Sequence, residues 1–61
     1  MSDTLPLARR REVFIALVAA QDGGLSARAS RIKVSTDEEI SEKDLLGIEN
    51  EGLQKQWPPL G

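Results

Sequence analysis

The stretch Glu38 to Leu53, EEISEKDLLGIENEGL, decides the fold and poses the main question about function. Ser41 is placed to cap a helix, and Ser41-Glu42-Lys43-Asp44 approximates a capping box, with aspartate where glutamate is usual. Ile40 before the cap and Leu45 four residues inside it have the spacing of a hydrophobic staple. A helix is therefore predicted over 42–56, stopped by the WPPLG tail at 57–61, because proline cannot continue the hydrogen-bond ladder. The same sixteen residues carry six carboxylates, Glu38, Glu39, Glu42, Asp44, Glu49 and Glu51. Where those acids point determines what the helix can meet.

Successive helical residues are turned by about 100°. On that wheel Leu45, Ile48, Glu49 and Gly52 share one side, with Leu53 at its edge. Lys43, Gly47, Asn50 and Gln54 lie opposite, flanked by Leu46, Asp44 and Glu51. Glu42 and Glu49 fall toward the packed side or its border, so the centre of the outward face is expected to be polar and free of acid. Asparagine and glutamine can make paired hydrogen bonds to adenine in a major groove, and lysine can reach guanine acceptors. A plain solvated helix face would show the same residue types. Gly52, on the inner face, is assigned to close helix packing, whereas Gly47 has no evident structural role.

Upstream, residues 1–6 read as a leader, with Pro6 at or just before a helix start. A helix is predicted over 7–21, with Phe14, Leu17, Val18 and Gln21 on one stripe, and Asp22-Gly23-Gly24 ends it. Ser26 caps a second helix, assigned to 26–35, with Ile32 and Val34 turned partly inward. Val34, Ser35 and Thr36 are poor helix formers, so the Ser35–Glu39 segment is also open to a reading as a turn. The expected architecture is all-α: a single small three-helix domain.

Composition sets the limits. The chain has 61 residues, 39% hydrophobic and 30% charged, enough for one small core and no second domain. Apolar candidates for that core are Leu5, Leu7, Val13, Phe14, Ile15, Leu17, Val18, Leu25, Ile32, Val34, Ile40, Leu45, Leu46, Ile48, Leu53, Trp57 and Leu60. Without cysteine or histidine, disulfides, the usual metal ligands and the commonest general base are missing. No metal or other cofactor is expected. A domain this small relies on packing or on a second copy, so a homodimer is considered. No apolar run approaches the ~20 residues of a membrane span, and a signal peptide would consume too much of the chain, so the expectation is a cytoplasmic protein without a membrane partner.

Net charge is −2, but it is unevenly spread. Residues 1–33 hold six bases against three acids, and residues 34–61 hold two bases against seven acids. Either the two halves attract each other within the fold, or the chain presents one positive and one negative surface. The serines have no histidine to activate them, no glycine-rich phosphate loop follows a strand, and a non-enzymatic role is expected.

Residues 40–53, ISEKDLLGIENEGL, resemble the second helix of the helix-turn-helix in the fourth conserved region of bacterial sigma factors, whose pattern runs approximately V-T-x-x-x-I-x-x-I-E-x-x-A-L. Ile40, Ser41, Leu45, Ile48, Glu49, Gly52 and Leu53 occupy framework positions, with weaker support from Ser30–Val34. The resemblance implies duplex DNA as partner. The recognition helix would lie at 42–56, and the preceding helix across the phosphates. Carried over to this chain, Lys43, Gly47 and Asn50 are the base-side candidates, with Ser41 and Gln54 beside them. Arg28 and Arg31, three apart on one face, are the phosphate contacts, with Lys33 nearby. The chain departs from the family in having Glu42, Asp44, Leu46 and Gly47 where outward arginines are usual, and Glu38-Glu39 before the helix. A monomer is expected to bind weakly, and dimerisation would double the contacts.

The alternative is a protein-interaction module, offering an acidic helix to a basic partner, such as a protein of the transcription machinery. Asp44, Leu46, Glu51, Trp57 and Leu60 would supply that surface, since tryptophan favours binding hot spots. Against this, Trp57 and Leu60 can simply fold back to close the core.

Overall fold

A computed structural model describes residues 5–60. Most of the predicted leader, residues 1–4, and Gly61 of the tail lie outside the described residues. The architecture is all-α: α1 spans Leu7–Asp22, α2 Ala27–Asp37 and α3 Glu42–Lys55, with no strand among the described residues. Each helix packs against the other two.

Punctuation residues set the helix ends. Pro6 precedes α1 at φ −59°, and its carbonyl accepts the Arg10 N–H at 3.0 Å. At the far end the Gly23 N–H donates to the Ala19 carbonyl at 3.0 Å, and Gly24 takes φ +104°, a conformation that costs glycine little. Ser26 Oγ accepts the Ala29 N–H at 3.1 Å and starts α2. Ser41 Oγ accepts the Asp44 N–H at 3.1 Å and starts α3.

Four helix bounds differ from the predicted ones, among them a one-residue extension of α1 past 21 to Asp22. The second helix begins at Ala27, with Ser26 as its cap, and runs two residues past Ser35 to Asp37. The Lys33 ammonium reaches Asp37 Oδ2 at 2.9 Å, an i,i+4 pair that supports the last turn. Glu38 and Glu39 then form the turn that Ser35–Glu39 had suggested, with Glu39 at φ +57°. The third helix ends at Lys55 because Gln56 adopts the left-handed conformation, φ 52°. The Trp57 N–H returns to the Gly52 carbonyl at 3.0 Å, the long bond of a Schellman-type ending.

That ending aims Trp57 at the core. The buried nucleus is Val13, Phe14, Leu17, Val34, Leu45, Ile48 and Trp57, with Leu5, Ala16, Val18, Ala20 and Ile40 packed against it. Ile40, the outer residue of the predicted staple, is packed against this nucleus, of which Leu45 is a member. Phe14 and Trp57 meet edge to face, ring centres 5.9 Å apart at 82°. Such a pair is worth about 0.5–1.5 kcal/mol beyond the area it buries. Gly52 lies directly against Phe14: a Cβ there would sit 2.8 Å from Phe14 Cγ and closer still to the ring edge. Ser30, fully buried, is satisfied by donating to the Ala27 carbonyl (2.8 Å) and accepting from Gln21 Nε2 (3.2 Å), which ties α2 to α1.

The core is smaller than the apolar residues allow. Leu7, Ile15, Leu25, Ile32, Leu46, Leu53 and Leu60 are all exposed. Ile32 does not turn inward, and Leu53 lies outside the packed edge of α3. Three helices of this length enclose one layer of side chains, and these residues fall on its outer flanks.

Candidate functional site

The outward face of α3 is built by its inward one. Burial of Leu45, Ile48 and Gly52 turns Lys43, Asn50 and Gln54 to solvent, and all three are exposed. Leu46 and Leu53, seven residues apart, form an exposed apolar stripe beside them, 42% and 54% accessible. Gly47 is half-buried rather than at the centre of the outer face.

The acids are handled by pairing. The Arg31 Nε donates to Glu49 Oε1 at 3.0 Å across α2 and α3. Arg10 Nη1 donates to Glu51 Oε1 at 2.7 Å across α1 and α3, and the Lys55 ammonium holds Glu51 Oε2 at 3.0 Å. Arg9 pairs with Glu38 in the turn before α3, its second nitrogen reaching the Glu38 carbonyl at 3.3 Å. Among the described residues, these three inter-helix or helix-to-turn pairs each join a base of the first half to an acid of the second. The charge asymmetry of the sequence is largely spent on internal attraction. Lys55's hydrogen bond, with the Arg10 charge adding to it against partial desolvation, lowers the Glu51 pKa below the ordinary glutamate value. Bonding to Asp37 raises that of Lys33.

This arrangement redistributes several residues named from the sequence. Arg31 and Arg28 do not act as equal neighbours: Arg28 is exposed, whereas Arg31 is half-buried with its charge matched by Glu49. Lys33 is matched by Asp37. The Ser41 hydroxyl is engaged as the α3 cap. Glu51 was placed on the outer flank by the helical wheel, yet it is half-buried against α1, while Glu42, placed at the packed border, is exposed. Trp57 is 4% accessible and belongs to the core, which removes it as an apolar anchor for a partner; Leu60 stays exposed. Asp44 is half-buried at the first turn of α3.

Among the described residues, Arg28 and Lys43 are the two basic side chains with no acidic or aromatic partner. Arg11, exposed on α1, has its guanidinium carbon 5.9 Å from the Trp57 ring centre, a cation–π contact that the sequence did not suggest. Exposed Leu53 and Ile32 were also missed as surface residues; the wheel position of Leu53, some 20° from Leu46, was the available signal.

No pocket is found, and no cluster of three or more acidic, cysteine or histidine side chains is placed to hold a metal ion among the described residues. No helix among them is long and apolar enough to cross a membrane. Comparison with protein-family models, curated proteins and solved structures returned no match.

Proposed function

We propose that the chain is a small duplex-DNA-binding protein, a transcription-regulator-like domain in which α2 and α3 act as a helix-turn-helix and α3 is the recognition helix. One observation carries this reading: Lys43, Asn50 and Gln54 are exposed together, while Glu49 and Glu51 are drawn inward and neutralised by Arg31 and Arg10. Two of the four acids of α3 are thus turned from the face that would meet a polyanion, while Glu42 stays exposed on its flank. The four residues between α2 and α3 match the 3–4-residue turn of such motifs.

The same pairing limits affinity. Arg28 supplies a phosphate contact from the first turns of α2, and Lys43 one from α3. A strong binder makes 6–10 phosphate contacts, so a monomer binds weakly and a homodimer is the effective unit. The test is fluorescence anisotropy of a labelled duplex against the whole chain across a salt series. About two contacts per protomer give a slope of log affinity on log salt near −2 for a monomer and about −4 for the homodimer, at about −0.9 per contact. Arg28→Glu with Lys43→Glu abolishes binding. Arg31 is left intact, because Glu at position 31 would face Glu49. No saturable binding at low salt, or binding indifferent to those substitutions, overturns the proposal.

The exposed Leu46 and Leu53 favour a second reading, a non-enzymatic protein-interaction module that docks through α3, with Asp44 and Leu60 nearby in the chain as further contacts. Leu46→Lys then dissolves a protein complex, or a homodimer seen by sedimentation, with DNA binding absent throughout.

A further inference from the structure

We infer that the outer face of α3 reads an A·T-containing major groove, with Leu46 against a thymine methyl and Asn50 on the neighbouring adenine. This rests on the DNA-binding reading above and names the sequence class it would take.

The major-groove edges differ in chemistry: adenine offers an acceptor and a donor that match an asparagine amide, thymine adds a methyl group, and guanine offers two acceptors suited to arginine or lysine. All five arginines of this chain lie on α1 and α2, at Arg9, Arg10, Arg11, Arg28 and Arg31, so none is available on α3 for guanine. Lys55 is held by Glu51, which leaves Lys43 as the one unpaired cation on α3 among the described residues. What α3 offers over its middle turns is an exposed leucine and an exposed asparagine. Leu46 and Asn50 are four residues apart, so their Cβ atoms stand about 5–6 Å apart on one face. Successive base pairs are about 3.4 Å apart along each strand, so the two side chains span one to two steps. An exposed leucine beside a polar face gains little from water, and the thymine methyl is the apolar group a major groove presents. Glu42, exposed on the same flank one turn earlier, bears like charge to the phosphates and lowers affinity for every duplex alike.

The experiment uses the whole chain and three duplexes of equal length: an A·T-rich duplex, the same duplex with deoxyuridine for thymidine, and a G·C-rich duplex. Removing the methyl deletes one buried carbon, and at about 0.8 kcal/mol per such group the affinity falls about fourfold per contact. The G·C-rich duplex binds at least tenfold more weakly. Leu46→Ala erases the thymidine–deoxyuridine difference while weak salt-dependent binding persists. Asn50→Ala reduces the preference over G·C to the part that the thymine methyl contributes. Both side chains are exposed, so neither substitution opens the core. Equal binding of the thymidine and deoxyuridine duplexes, or a difference that survives Leu46→Ala, overturns this inference and leaves the DNA reading standing. Absence of binding to all three duplexes overturns both.

Discussion

Gly52→Ala sets two effects of opposite sign against each other. Glycine inside a helix costs about 1 kcal/mol relative to alanine, so on propensity alone the substitution stabilises α3. The new methyl, however, lies 2.8 Å from Phe14 Cγ, well inside the 3.5–4.0 Å at which carbon atoms attract. The ring has to retreat by on the order of 1 Å to restore that contact distance. Phe14 is 1% accessible and stands edge-on to Trp57, so its movement disturbs the pair that anchors the tail. Overpacking of this kind costs about 1–3 kcal/mol or somewhat more, which outweighs the propensity gain. A net loss of about 1–2 kcal/mol is expected, from a total of roughly 3–9 kcal/mol for a chain of this length. Thermal unfolding followed by circular dichroism and by Trp57 fluorescence should show Tm lower by about 5–15 °C. On a Phe14→Leu background the alanine should become neutral or stabilising, giving a coupling of about 1–3 kcal/mol. A rise in Tm for Gly52→Ala alone, or simple additivity with Phe14→Leu, refutes the close approach of α3 to α1 through this glycine.

Glu39→Gly should raise Tm by a few degrees, since a non-glycine residue at φ +57° bears about 1 kcal/mol of strain and Glu39 is exposed; a lower Tm would show that its contacts outweigh the strain. Ser41→Ala should cost about 1 kcal/mol by removing the α3 cap, whereas Ser41→Asp should retain most of the stability in urea unfolding. Glu51 has a depressed pKa in the fold, so its stabilisation is present above the ordinary glutamate value near 4.3 and is lost as pH falls through its folded value. Wild type should therefore exceed Glu51→Gln in stability from about pH 5 upward and lose that advantage on acidification, as measured by urea midpoints across pH; a pH-independent difference would mean that the pairing with Lys55 and Arg10 contributes nothing.

Much of the fold was legible because its elements are bounded by residues with single mechanical roles. Ser26 and Ser41 cap, Gly24 takes the positive φ, and Pro6 and the WPP segment bracket the helices. Inward residues at helical spacing, Val13, Phe14, Leu17, Leu45 and Ile48, could be read from periodicity alone. The extent of the core could not. Hydrophobicity says that Leu7, Ile15, Ile32 and Leu53 would gain from burial, but only the packing of three helices decides which flanks are covered. The two extra residues of α2 depend on the Lys33–Asp37 pair and the Ser35 hydroxyl bonded to the Ile32 carbonyl, local bonds that propensity scales average away.

For the candidate site, the wheel correctly placed Lys43, Asn50 and Gln54 outward, because their positions follow from those of Leu45 and Ile48 on the same helix. It failed for Glu51, and the spacing that paired Arg31 with Arg28 missed Glu49, because the surroundings of both are set by other helices. That failure bears on function. A basic half and an acidic half in one short chain look like two surfaces offered to two partners. In the fold they act largely on each other: Arg10 with Glu51 joins α1 to α3, and Arg31 with Glu49 joins α2 to α3. Each half-exposed pair contributes only about 0–1 kcal/mol, so its effect on stability is modest. Its effect on the surface is larger, because pairing cancels both charges at once. The pairing matches the Arg31 charge within the fold and withdraws Glu49 and Glu51 from the outer face of α3. What is left there is nearly neutral, with Lys43 and Asn50 beside Leu46. A surface of that kind gains little from general attraction to DNA. On the proposed DNA-binding reading, affinity would then rest on fit to particular base edges and on a second copy to multiply a small number of contacts.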